Sequence, residues 1–441
     1  LVIIRQTLQQ LGLLKVMREI GLKQFGFSDD VVIECLVLLL CAGGRSLSDF
    51  EWMRKESGFV RLYGGHVPSV DVLEDYLRRL KMTKVERDKD AAPGQVGYCQ
   101  AIENLHSLLL SLAYKKKGCP SHLTIDIDAM LIETHKSDAT FCYEKYKAYH
   151  PFQAYCPELG MVIAHEFRDG NISPAEGHIR LMKRVRALFT GVYFFVRADS
   201  AAYQHEFIDY LTTCEPAIGY SITVKQYAEI TDLARNEKNY VRLLDKEGID
   251  RGEDYAEISP LFKNTSNEKF TMRSNTRRYY VVRRQQKDPK GESTEEQLSL
   301  LTPEYKHTII VTNAIKEHPR KIILNHRLRF GNIEYFHSQI KGQCGMDVMP
   351  SNTFSVNAAY YSLGLLAHNL MRFVQVHLLD EPHQKIEIQT LRFRILRAAA
   401  IVINKARSVI LRFTEGHPVK QIITKAFDRL ATMKLAINET R

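Results

Sequence analysis

Two short runs constrain this chain more than anything else in it. "LTIDIDAML", residues 123–131, alternates strictly between apolar and polar residues. That is the period-two pattern of a strand, and it puts Thr124, Asp126 and Asp128 on one face. "VYFFV", residues 192–196, is aromatic and β-branched, which favours a buried strand, and it closes on Arg197 and Asp199. In open α/β sheets, ligands bind in the crevice beyond the carboxyl ends of the strands. An Asp in that place also serves simply to cap a following helix. Two carboxylates on one face of an otherwise apolar strand are harder to explain. Burial penalises each, repulsion adds to the penalty, and a cation relieves both.

The surrounding sequence suggests an α/β architecture. Residues 1–118 read as helical, from the i, i+3, i+4 spacing of "LVIIRQTLQQLGLLKVMREIGL" to "VPSVDVLEDYLRRLKMTK", where Ser69 is a candidate N-cap. Arg78 and Arg79, with Lys81 and Lys84, end that helix. Basic residues there either meet nucleic acid or complement the helix macrodipole. Residues 119–219 hold the two acidic strands and a third, "MVIAHEFRDGN", with the helix-like "SPAEGHIRLMKRVRALF" between them, the pattern of a mixed α/β core. Residues 220–315 read as β-rich, residues 316–375 return to helix and complete the core, and residues 376–441 read as a basic helical region. No internal repeat or low-complexity tract stands out.

The 441 residues carry 61 Lys and Arg against 51 Asp and Glu, a net charge of +10. The excess is concentrated. Segment 269–290 carries eight Lys/Arg and one Asp, and residues 381–441 carry twelve against five. Both suit a polyanionic partner, although Arg273, Arg277, Arg278, Arg283 and Arg284 also fit a solvated strand face. Eight scattered Cys residues form no C-x-x-C pair, which argues against zinc ribbons and dense disulfides and suits a reducing cytoplasm. The apolar runs "VVIECLVLLLCAGG" and "VNAAYYSLGLLAHNLMRFVQV" are interrupted by Glu34, and by Asn357, His368, Asn369 and Arg372, so buried helices are expected and no membrane partner. The chain opens at Leu1 with helical periodicity already under way, so a missing upstream piece is expected. No signal peptide is visible. The sequence lacks G-x-x-x-x-G-K-[ST], H-E-x-x-H and G-x-S-x-G. His135, His150, His165 and His178 lack metal-site spacing and are expected in ordinary polar roles.

Three carboxylates remain as candidates for phosphodiester chemistry: Asp128, Asp199 and Glu334, with Lys341 two helical turns after Glu334. Acids from two strands and a helix suit a pair of Mg²⁺ ions, with Mn²⁺ an alternative. Two such ions about 4 Å apart activate a water or 3′-hydroxyl and stabilise the leaving oxygen.

The order of "LTIDIDAML", "FFVRADS" and "IEYFHSQIKGQCGMDVMPSNTFSVNAAYYSLGLLAHNLMRF" resembles bacterial insertion-sequence transposases of the DDE type, and similarity extends over almost the whole chain. The resemblance implies a ribonuclease H-like mixed-sheet core with a β-rich insertion, two Mg²⁺ ions, cleavage at transposon ends and joining of the 3′-hydroxyl to target DNA. It implies double-stranded DNA as partner, a homodimer on DNA, and a bacterial cytoplasm. It matches the first acid to Asp128 rather than the accessory Asp126, the second to Asp199, the third to Glu334 and the basic partner to Lys341. It gives the arginines of segment 269–290 a place on DNA phosphates. The family usually shows Tyr, two residues, Arg, three residues, then Glu. Here Phe330 holds the Arg position, with Arg329 one place early, so either an irregular turn lies near Gly331 or the site is altered. Met130 stands where the family has Thr. Two rivals are a DNA-binding relic without activity and a nuclease of the same fold that cuts without joining.

Overall fold

A computed structural model describes residues 1–22, 26–87, 93–259, 276–285, 305–405 and 408–439. In the N-terminal region, helix α1 (Asp29–Ala42) is almost wholly buried and stops at Gly43, whose φ of 92° is a left-handed conformation suited to glycine. Its Glu34 pairs with Arg5 at 3.2 Å. Helix α2 (Val70–Arg79) starts as expected, with the Val72 N–H donating to the Ser69 hydroxyl at 3.4 Å. Helix α3 (Gln100–Lys116) leads into the sheet.

The alternating run forms β1 (His122–Ala129), followed by β2 (Phe152–Cys156) and β3 (Met161–Arg168). The amphipathic helix α4 (His178–Leu188) then leads to β4 (Tyr193–Ala198), which is the aromatic run, and to β5 (Gly219–Thr223). These strands lie in the order β3-β2-β1-β4-β5. The first three are antiparallel, while β4 runs parallel to β1 and β5 parallel to β4. This is the ribonuclease H-like arrangement.

Strands β6 (Val241–Leu244), β7 (Asp250–Ile258), β8 (Arg278–Gln285) and β9 (Tyr305–Thr312) extend the same sheet. They join it through β9, which pairs antiparallel with β5, Ser221 opposite Thr312. The β-rich insertion is therefore a wing of the core sheet, and β5 belongs to the core although it falls inside segment 220–315. At the other edge, Val96–Tyr98 pairs with β3 and Thr83–Lys84 adds beyond it, making 11 strands in all.

Helices cover both faces. Successive residues of a strand point to opposite sides. His165 of β3 meets Ser362 of α6 (Phe354–Leu378), whereas Glu166 meets Arg180 of α4. Helix α5 (Pro319–Ser338) shares the α6 side, with Phe336 against His368, their ring centroids 5.3 Å apart. Helix α6 is buried along most of its length, and its buried Asn357, Ser362, Asn369 and Gln375 side chains are partnered, while the Tyr360 hydroxyl and His368 Nδ1 are not, among the described residues. Asn369, for example, bonds both the N–H and the C=O of Val162. Among the described residues, no single helix is long and apolar enough to cross a membrane.

The C-terminal region is not wholly helical. Ile401–Lys405 and Ser408–Arg412 form a two-stranded hairpin before helix α7 (Val419–Glu439). The β-branched residues of "AIVINKARSVIL" prevail there over the flanking helical pattern.

Candidate active site

The two acids of β1 lie two residues apart and differ sharply in environment. Asp126 is fully buried, directly opposite Arg197 of the parallel strand β4. The guanidinium donates to both carboxylate oxygens, at 2.6 and 2.7 Å, and also to the Asn325 carbonyl of α5 at 2.7 Å. Asn332 lies 3.5 Å from the same carboxylate. Asp126 is thus held in a bidentate ion pair that ties β1, β4 and α5 together, which corrects the expectation of an accessory site role.

Asp128 reaches past the covered part of the sheet into a cavity of about 460 Å³. Asp199, one residue beyond the end of β4, lines the same cavity. Its Oδ1 accepts the Ala201 N–H at 3.0 Å, so it caps the short turn Ser200–Ala202, the second role a strand-ending Asp serves. Asp128 accepts its own neighbour's amide, Ala129 N–H, at 2.9 Å, and pairs with Arg329 of α5 at 3.1 Å. Burial lifts the Asp128 carboxyl to about 6. Arg329 opposes that rise, and the charge of Asp199 adds to it.

The rest of the cavity wall comes from Tyr143, His150, Phe152, Ser173–Ala175, His178 and Lys225. Neither histidine is poised as a base. Burial drives His150 down to about 4 and His178 to about 3, and each ring meets a backbone carbonyl, Ile172 and Ala175 respectively, at 3.0 Å. The ordinary polar roles expected for them fit this geometry. Lys225 was not legible as a site residue, although it stands two residues past the strand in "SITVKQY" and so extends from the same end of the sheet as Asp199.

Helix α5 runs unbroken through Gly331, and the irregularity lies later, in a π-helical turn over Gln339–Gln343. Asn325, Arg329, Asn332 and Phe336 form its inward face at helical spacing. That register leaves Phe330 61% exposed and Glu334 exposed, away from the cavity wall. Lys341 lines a neighbouring cavity of about 450 Å³ with Glu133, His135, Tyr146 and Asp347. Burial lowers its pKa, and Asp347 opposes that. The structure therefore unites Asp128, Asp199 and Arg329 but does not bring Glu334 and Lys341 to them. Among the described residues, no three His, Cys, Asp or Glu side chains gather closely enough to hold a metal. Asp128 and Asp199 are the two carboxylates that line this cavity, hard oxygen donors of the kind that suits Mg²⁺ or Mn²⁺, and their mutual repulsion is what a cation would relieve.

The basic residues divide as well. Arg277 is buried and pairs with Asp209 at 2.9 Å, which corrects its assignment to a DNA surface. Arg283 bonds Asp254 at 3.0 Å and lies over the Tyr240 and Tyr305 rings, while Arg278 pairs with Glu257 at 3.1 Å and stays partly exposed. Arg284 is exposed. Acids of β7 lie directly across from β8, so part of the local charge is balanced within the wing. Arg273 lies outside the described residues. Arg78 and Arg79 are exposed and pair with Glu74 and Asp75 one turn earlier, at 3.4 and 2.8 Å.

Comparison with known proteins adds a family to this geometry. No curated protein matches the chain. A chain of the piggyBac transposase synaptic complex with hairpin DNA, solved by cryo-electron microscopy, is 12% identical with a TM-score of 0.42, over 82% of this chain and 75% of that one. The model of the family described as transposase DDE domain group 1 matches residues 1–435. The protein is a member of that transposase family.

Proposed function

We propose that the protein is a DNA transposase that hydrolyses the phosphodiester at transposon ends and then joins the freed 3′-hydroxyl to target DNA. The observation that carries this reading is the meeting of Asp128 and Asp199 in one cavity, at the carboxyl ends of adjacent parallel strands. Their oxygens would hold Mg²⁺, which when bound supplies Lewis acidity toward water and the leaving oxygen. In the first step a water oxygen bonds to phosphorus as the bond to the 3′ oxygen breaks. In the second, the 3′-hydroxyl oxygen bonds to a target phosphorus and another 3′ oxygen leaves.

Within this reading Asp128 and Asp199 orient the attacking oxygen and the phosphate. Arg329 balances Asp128 until DNA enters. Glu334 is the third acid that the motif order offers, although α5 turns it outward in this structure. Lys341 follows the phosphate backbone, as do exposed Arg284 and the partly exposed Arg278 and Arg283. The protein acts as a homodimer on DNA.

The test is strand transfer in vitro, on a labelled duplex carrying the element's own end, with Mg²⁺ or with chelator. A Mg²⁺-dependent joined product, lost in Asp199→Asn, is the expected result. Nicked ends that are never joined would mean a nuclease only. One observation favours a second reading, a DNA-binding relic: Glu334 stands exposed with Phe330 beside it. That reading requires end binding with no cleavage under any divalent metal.

A further inference from the structure

We propose that Lys225 contacts the scissile phosphate, with its ammonium on a non-bridging oxygen. The inference rests on the transposase reading of the same cavity and adds a residue to it.

Three features of the fold carry the argument. The first is position. Strand β5 lies parallel to β4, with Ile222 opposite Ala198, so Lys225 follows the carboxyl end of β5, the strand next to the one that Asp199 follows. It lines the cavity that Asp128 and Asp199 line.

The second is charge. Lys225 is half-buried, yet among the described residues no carboxylate lies within ion-pair distance of its ammonium. Asp128 is matched by Arg329 at 3.1 Å, and Asp199 lines the same cavity from the neighbouring strand. A partly buried ammonium without a counter-charge is unfavourable in the free protein and becomes favourable when an anion enters. A phosphodiester is an anion that the two acids alone would repel. With a cation on the carboxylates and Lys225 in the wall of the same cavity, an entering phosphate would meet positive charge from both.

The third is rigidity. The Val224 N–H donates to the Ile309 carbonyl of β9 at 2.8 Å, and the Lys225 carbonyl accepts the Tyr227 N–H at 3.0 Å. The Gln226 side chain donates to the His307 carbonyl at 2.9 Å. The backbone around Lys225 is therefore pinned to the wing, so the lysine has a fixed base from which to meet a substrate.

The experiment compares wild type, Lys225→Met and Lys225→Arg in single-turnover cleavage with Mg²⁺. One duplex carries the natural scissile phosphate and the other a methylphosphonate there, which lacks the non-bridging charge. On the natural duplex, K225M should cleave about 100-fold more slowly, with end affinity kept within about 3-fold, and K225R should recover part of the rate. On the methylphosphonate duplex, the gap between K225M and wild type should shrink to about 3-fold or less. Cleavage by K225M at the wild-type rate would overturn the proposal. So would an equal loss on both duplexes, because a merely structural lysine does not sense the charge of the substrate. If wild type binds the end but never cuts it, the transposase reading fails. Affinity for the two duplexes then decides the lysine: the methylphosphonate should weaken wild type and leave K225M unchanged, and an equal effect on both would overturn the contact.

Discussion

Asp126 and Asp128 belong to the same strand and the same face, yet one is sealed in the interior and the other opens onto a cavity. In the middle of the sheet, parallel pairing sets Arg197 directly opposite Asp126, and the ion pair is closed on every side by β1, β4 and α5. At the rim, the neighbouring strand gives Asp128 a second acid in place of a base, and Arg329 and the Ala129 N–H offset it. Position in the sheet, rather than residue type, separates an acid that ties the interior together from an acid that lines a cavity.

The largest expected effect divides the two directly. Asp128→Asn and Asp199→Asn should each reduce cleavage by about 10³-fold or more with the melting temperature close to that of wild type. Retained cleavage in either variant would remove that residue from the reacting centre. Arg197→Met should do the reverse and strike stability first. Leaving Asp126 buried without its counter-charge costs about 3–5 kcal/mol, read as a lower Tm or denaturant midpoint. An unchanged midpoint would mean that the interior pair is not structural.

A smaller effect concerns pH. The native pKa of Asp128, raised to about 6 by burial, stands above its unfolded value of about 3.9. The native state then holds the extra proton across that window, so metal-free stability should fall as pH rises from about 4 to 6, by about 1–3 kcal/mol. Asp128→Asn should flatten the profile. Added Mg²⁺ should raise Tm more at pH 7 than at pH 5, because protons compete with it, and a metal effect independent of pH would break the contrast between rim and interior.

The smallest effect applies the same contrast to arginines. Neutralising Arg278 and Arg284, which both reach solvent, should weaken DNA binding evenly across sequences and reduce the salt slope by about 1 for each phosphate left without its arginine. Arg277→Met should leave that slope alone and lower Tm, since Arg277 is committed to Asp209.

Much of this was legible in the sequence, for physical reasons. Period-two alternation identified β1, and the aromatic run identified β4, because strand geometry writes itself into side-chain order. Ser69 as a cap and α6 as a buried helix follow equally local rules. Partnership was not legible. The alternation in "LTIDIDAML" does not by itself tell Asp126 from Asp128; the family resemblance favours Asp128, and the physical reason, Arg197, comes from a strand 71 residues away. Helix α5 shows the same limit: its sequence allows either rotation, and packing of Ile333 and Phe336 turns Arg329 inward and Glu334 outward. Lys225 lay hidden because a single lysine after a strand is unremarkable by itself. The C-terminal hairpin was missed because its β-branched residues sit among strong helix formers.

The contact between Asp128 and Arg329 spans 201 residues of chain. Such non-local closure is slow to form and must wait for everything between. During synthesis the two strand acids emerge early, the wing follows, and α5 comes only afterwards. A half-made chain consequently carries the acids without the helix that completes their surroundings, and the site cannot assemble until α5 has left the ribosome.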